Sequence, residues 1–190
     1  MHSDLGDGLG SNLGGGFGGG PGPVRVASFE ELAGLPRVEA AADALLAGYL
    51  NVQLPPTSDL GGAVEVLARA AAVLVVGSPP VGFAQLDVVD GRAHLQQLAV
   101  DPMYGRRGLG TALVRACGEW AIRHRFAELT LTTFAHIPFN APFYARMGFR
   151  VIDDAVLPAG LAVLRRREAA SGLDALGTRV AMRAYLNFRA

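Results

Sequence analysis

Lysine is missing from this 190-residue chain; the 17 basic residues are all arginine and face 17 acidic ones. Its absence excludes a P-loop ATPase, a protein kinase with its strand lysine, and any enzyme that builds a Schiff base on its own lysine. Side-chain contacts to phosphate must then come from guanidinium groups, which are bidentate and permanently charged. A formal net charge of zero argues against grip on a nucleic-acid backbone. Cysteine is nearly absent too: Cys117 alone cannot make an internal disulfide, which excludes a disulfide-built secreted fold. The four histidines (His2, His94, His124, His136) are scattered, with no ligand pair at short spacing, so no metal site is expected. Long apolar runs are lacking. The longest, Ala70 to Val76, falls short of the ~18 residues of a membrane span and stops at Gly77-Ser78-Pro79-Pro80. Residues 1–22 are rich in glycine, with Asp4 and Asp7 and no Arg or Lys. The tract lacks the features of a signal peptide and reads as a disordered Gly-rich tail before a single domain over 23–190. A cytoplasmic protein without membrane attachment is expected.

What is present reads as alternating short strands and helices. Strand patterns cover Val24 to Phe29, Ala71 to Val76, Val81 to Val89, Arg92 to Val100, Leu129 to Thr133, Phe149 to Ile152 and Thr178 to Leu186. Asp90-Gly91 is a two-residue hairpin signal. Glu30 to Leu35 reads as a helical turn ended near Pro36, and Val38 to Leu50 as a helix. Asp59 can cap another through Arg69. The clearest helical pattern runs from Arg106 to Arg125, with Leu109, Leu113, Ala116 and Trp120 on one face and Arg115, Glu119 and Arg123 on the other. Asn140 suits a helix N-cap before a short helix through Met147. Leu157 to Ala170 also reads as helical. A hairpin directly before a strand–loop–helix unit argues for an α+β fold with a mixed sheet.

Two stretches carry chemistry. In the first, Gly105-Arg106-Arg107-Gly108-Leu109-Gly110-Thr111, a loop enters a helix. Glycines there leave backbone N–H groups uncovered, and the helix dipole adds positive charge, which together make a phosphate cradle. Cations at a helix N-terminus are disfavoured by about 0.3–1 kcal/mol each, so Arg106 and Arg107 make sense when an anion occupies the site. The bland alternative has both arginines in solvent and the glycines serving a tight turn. The glycine order is also not the Gly-x-Gly-x-x-Gly of a dinucleotide fold. Glu128 lies near the distance of that fold's ribose-binding acid but sits among strand-forming residues. In the second stretch, Asn140 and Tyr144 are four residues apart and share a helix face, with Phe143 and Gly148-Phe149 beside them. Tyr144 can donate a proton or simply fill the core.

Together the stretches Leu98-Ala99-Val100-Asp101-Pro102, Gly105 to Gly110 and Asn140…Phe143-Tyr144…Gly148-Phe149 resemble the GNAT superfamily of acetyl-CoA-dependent N-acetyltransferases, over roughly His94 to Ile152. Arg179-Val180-Ala181-Met182-Arg183 looks like the family's last strand. Gly105 departs from the family, which usually has Arg or Gln there. The resemblance implies a mixed, mostly antiparallel central sheet flanked by helices, with acetyl-CoA as co-substrate and no metal. It implies that the fourth strand (His94 to Val100) splays from the fifth (Ala127 to Thr133), so that backbone groups of Leu98, Ala99 and Val100 hold the pantetheine arm. Arg106, Arg107, Gly108, Leu109, Gly110 and Thr111 would hold the pyrophosphate and Asn140 the cofactor arm. Tyr144 would contact the cofactor and protonate the leaving thiolate, and an amine of a small molecule or protein would attack directly in a ternary complex. Cys117 is then a core residue. Gln96 and Gln97 stand where many members carry a carboxylate. The base is expected to be Glu39, with His94, a water relay, or Glu39 as a plain solvated acid as the alternatives. A catalytically silent acyl-CoA-binding or regulatory module is the competing reading. A homodimer through an exposed closing strand is a further expectation.

Overall fold

In the computed structural model, which describes residues 22–52 and 60–187, Asp90 and Gly91 both have positive φ, 51° and 70°. That is the requirement of a tight hairpin turn. It joins β3 (Gly82–Val89) to β4 (Arg92–Val100). β2 (Ala72–Val76) lies antiparallel to β3, and β1 (Arg25–Val26) to β2. After β4 the chain crosses through α4 (Leu109–Arg123) to β5 (Glu128–Phe134), which runs parallel to β4. β7 (Arg179–Tyr185) inserts between β5 and the two-residue β6 (Arg150–Val151), antiparallel to both. The sheet therefore has seven strands in the order β1-β2-β3-β4-β5-β7-β6, and it is mixed and mostly antiparallel.

The two faces of the sheet bury different helices. Leu86, Leu95, Leu131 and Met182 pack under α4, whose Leu113 and Cys117 are fully buried, and under α5 (Ala141–Arg146). Truncating Leu113 to Ala would cost about 2–5 kcal/mol. Val73, Val75, Phe83 and Ala99 face the other way. They pack against α1 (Phe29–Leu32), α2 (Leu35–Leu50) and α3 (Leu60–Arg69). Side chains alternate along a strand, so Ala181 points opposite Met182 and packs with Leu161 of α6 (Ala159–Ala170). α6 thus shares the α2 side. No helix among the described residues is long and apolar enough to cross a membrane.

One irregularity positions the site. Gln85 pairs with Gln97 but Leu86 pairs with Leu95, so Gln96 is an extra residue, a β-bulge in β4. Pairing with β5 covers only Ala93–Leu95 against Leu129–Leu131. Beyond the bulge the two parallel strands are no longer paired, which leaves a gap between them toward Val100 and Phe134.

Several boundaries differ from the sequence reading. The first strand shrinks to Arg25–Val26. Pro36 does not end a helix but sits in the first turn of α2, where its missing N–H has no partner to lose. The central helix begins at Leu109 rather than Arg106, because Arg106 (φ 57°) and Gly108 (φ 78°) adopt left-handed backbone. The closing strand is not at the edge of the sheet: β6 pairs with its Met182 and Arg183. Asp59 and the glycine tail up to residue 21 lie outside the described residues.

Candidate active site

The loop into α4 is built to leave amides uncovered. Asp101 accepts from the Met103 amide at 2.9 Å and sets a single 3-10 turn over Pro102–Tyr104. The chain then passes through the two left-handed residues, and Gly108 caps α4 with no side chain bonded over its end. The first intrahelical bond runs from the Ala112 amide to the Gly108 carbonyl at 2.9 Å. The amides of Leu109, Gly110 and Thr111 therefore have no acceptor within the helix. A Cβ at Gly110 would approach the Phe143 ring to 3.6 Å, so α5 lies alongside this first turn. No acid occupies that turn.

Four arginines surround it. Arg106, Arg107, Arg115 and Arg146 are exposed, and none joins an ion pair among the described residues. The Arg107 guanidinium lies 5.7 Å from the centre of the Tyr104 ring. Arg115 and Arg146 line a cavity of about 380 Å³ between α4 and α5, together with Thr111, Phe143 and Met147. The sequence reading passed over Arg115 and Arg146. Arg115 scored as the polar face of an amphipathic helix, and only the packing of α5 on α4 brings Arg146 beside it. The one available signal was that Arg115 falls one turn after Thr111.

The gap adjoins this helix entrance. Leu98 and Val100 pack toward the α4 face, and Ala99 is buried toward α2. Their β3-side backbone is paired, while the edge toward β5 has no strand partner there. An extended ligand can add to such an edge as a strand would.

Tyr144 sits on α5 between the rings of Phe143 and Phe149, with centroids 5.1 and 5.7 Å away. It is 8% exposed. Burial first, then the nearby Cys117, raises the pKa of its hydroxyl well above the ordinary phenol value. The group stays protonated through the neutral range and can act as a donor. Asn140 holds the N-cap position of α5, but its side chain makes no capping bond; its backbone N–H donates to the Ile137 carbonyl at 2.9 Å and its carbonyl accepts from the Tyr144 amide at 3.0 Å. Cys117 is fully buried, and burial pushes its thiol up to about 12, which removes it as a nucleophile.

On the α2 side, Glu39 and Asp43 lie one helical turn apart and are both half-buried. Burial raises both carboxyls above their ordinary range, and Asp43 raises Glu39 further. Asp43 was missed in the sequence, although its spacing from Glu39 was the signal. His94 does not stand exposed at a strand start. It is 1% exposed and its Nδ1 lies 2.9 Å from Thr130 Oγ1. The Thr130 hydroxyl donates to the Ala93 carbonyl, so the His94 Nδ1–H donates to Thr130. Burial pushes the His94 imidazole down to about 4, so it is no base for an incoming substrate. Glu128 is buried and bonded to Arg92, which removes it as a ribose-binding acid.

Residues 61–149 match the model of the Acetyltransferase (GNAT) family. That span, a little under half of the chain, is similar in sequence to GNAT acetyltransferases. Solved structures share its fold. A PaiA N-acetyltransferase from Thermoplasma acidophilum in complex with coenzyme A is 15% identical, with 85% of this chain and 97% of that one covered at a TM-score of 0.58. A GNAT acetyltransferase from Staphylococcus aureus is 17% identical, with 86% and 98% covered and a TM-score of 0.61. An acetyltransferase from Thermus thermophilus is 17% identical, with 86% and 97% covered and a TM-score of 0.60. The matched span holds the bulged β4, the arginine-flanked entrance to α4, and α5 with Tyr144.

Proposed function

We propose that this protein is an N-acetyltransferase that moves the acetyl group of acetyl-CoA to an amine. One observation carries the reading. Three acceptor-less amides at the start of α4, ringed by four arginines without acidic partners, stand at the mouth of a gap between parallel strands. That donor set fits a diphosphate with a further phosphate nearby. When bound, acetyl-CoA supplies the thioester whose carbonyl carbon an amine attacks. Leu109, Gly110 and Thr111 bind the diphosphate through their amides, with Arg106 and Arg107 beside them. Arg115 and Arg146 hold the remaining phosphate in the α4–α5 cavity. The open edge of β4 at Leu98, Ala99 and Val100 orients the pantetheine arm, and the Asn140 amide steadies it. Tyr144 gives the proton to the departing sulfur from its hydroxyl, while Glu39 takes one from the attacking nitrogen; general acid–base help of this kind contributes typically ~10²–10⁴-fold.

The test is thiol release from acetyl-CoA with a panel of primary amines. Turnover with at least one amine is expected, falling as pH drops through the raised pKa of Glu39, because the base must be unprotonated. In Glu39→Gln that acid limb disappears. A panel with no turnover, alongside intact CoA binding, would favour the silent acyl-CoA-binding module instead.

A further inference from the structure

An alkylamine in neutral water is an ammonium ion, like the side chain of lysine. Its acetylation balances as R–NH3+ and acetyl-S-CoA giving R–NH-acetyl, CoA-SH and one H+, so the nitrogen sheds two protons. The ammonium has no lone pair until the first of them has left. Glu39 serves the nitrogen during attack and Tyr144 serves the sulfur, which leaves that earlier step without a residue.

Three histidines lie among the described residues, and the fold separates them. His94 is buried with its Nδ1–H committed to Thr130. His124 ends α4 far from the helix entrance; its ring stacks on Trp120 with centroids 4.1 Å apart, and its Nδ1 lies 2.8 Å from the Trp120 carbonyl. His136 is at the gap. Ala135 extends the pairing of β5 with β7, its amide donating to the Thr178 carbonyl at 2.8 Å. His136 follows it and lines a hollow of about 170 Å³ together with Phe134, Thr178, and Tyr49 and Leu50 of α2. It is exposed, and its imidazole has no hydrogen bond or ion pair among the described residues.

Register relates His136 to the reacting centre. The last β4–β5 pair is Leu95 with Leu131. Counting past the one extra residue, Gln96, sets Leu98 to Val100 across the gap from Thr133 to Ala135. His136 is the next residue, and the same connection leads on into α5 and Tyr144. The two groups suit opposite tasks. Tyr144 is buried with its hydroxyl held protonated, which makes it a donor. His136 is open to water, and a neutral imidazole nitrogen accepts a proton and passes it to solvent.

Resting on the acetyltransfer reading, we infer that His136 takes the first proton from the acceptor's ammonium and delivers it to water. The N–H bond breaks with its electron pair left on nitrogen, as the lone pair that attacks the thioester carbon; the proton bonds to an imidazole nitrogen and leaves to solvent. Glu39 takes the second proton during attack and Tyr144 gives its own to the sulfur. Glu39 then loses a proton to water and Tyr144 regains one, so one H+ is released in all.

The probes are ethylamine, which arrives as an ammonium at neutral pH, and 2,2,2-trifluoroethylamine, whose fluorines make it so weak a base that it arrives neutral. His136→Ala, at an exposed side chain without partners, is expected to lower kcat/KM for ethylamine at least tenfold. The same substitution is expected to leave kcat/KM for trifluoroethylamine, and CoA affinity by calorimetry, unchanged. Added imidazole is expected to restore ethylamine turnover in His136→Ala in proportion to its concentration and to leave the parent protein unaffected. Equal losses for the two amines, or an ethylamine defect that imidazole does not relieve, would overturn the role of His136 while leaving acetyl transfer standing. A parent protein that neither binds CoA nor turns over either amine would instead remove the reading on which that role rests.

Discussion

Between residues 105 and 110 on the α4 side stand three glycines and two arginines, all within one helix entrance. On the α2 side, the half-buried Glu39 and Asp43 and the walls of a hollow at the end of β5, from Tyr49 to Thr178, are spread over a helix, a strand end and a loop. On the acetyltransfer reading, the contrast follows from what each side would bind. A diphosphate needs amides and positive charge, which one helix entrance supplies by itself. An acceptor needs a shaped hollow and a placed proton carrier, which only distant segments meeting in space can supply.

The sharpest way to break this division is Tyr144→Phe. The substitution keeps the ring packed between Phe143 and Phe149 and removes the proton donor. Turnover should fall by roughly 10²–10⁴-fold while CoA affinity, read by calorimetry, stays put. A matching loss of affinity would make Tyr144 a packing residue only.

Next comes the sealing of the α6 side around His94. Its folded pKa of about 4 lies below the ordinary histidine value. Below pH ~6.5 the unfolded chain therefore binds a proton that the folded protein refuses. This contribution should destabilise the fold progressively between about pH 6.5 and about pH 4, by up to about 3 kcal/mol, and stay level below. Urea titrations across that range check it. His94→Gln should flatten the slope, and an unchanged slope would place His94 in contact with water.

The two arginine pairs separate the parts of the coenzyme. Arg106→Ala with Arg107→Ala should weaken CoA about ten- to a hundredfold, as loss of charge-assisted hydrogen bonds does, and the weakening should shrink at high salt. Arg115→Ala with Arg146→Ala should have the smallest effect. It should lower CoA affinity severalfold but leave dephospho-CoA binding unchanged. Equal losses for both ligands would move the third phosphate away from the α4–α5 cavity.

How far the sequence could be read follows the same division. The hairpin at Asp90-Gly91, the strand–loop–helix unit and the α4 core were legible because each is set by residues a few positions apart. The helix start was placed three residues early, because periodicity does not register that Arg106 and Gly108 turn left-handed. His94 stood as an alternative base because its strand position gave no hint that its Nδ1–H would donate to Thr130. Arg115, Arg146 and Asp43 were passed over, since a polar helix face looks the same whether it meets water or another element. The place of β7 inside the sheet was likewise invisible, because strand order is decided by which segments meet and not by their patterns.

The most direct test is a crystal structure of the protein with coenzyme A. We predict the diphosphate within hydrogen-bonding distance of the Leu109, Gly110 and Thr111 amides, with the pantetheine arm lying along the free edge of β4 from Leu98 to Val100. A coenzyme bound elsewhere, or a diphosphate reaching none of those amides, would contradict the account.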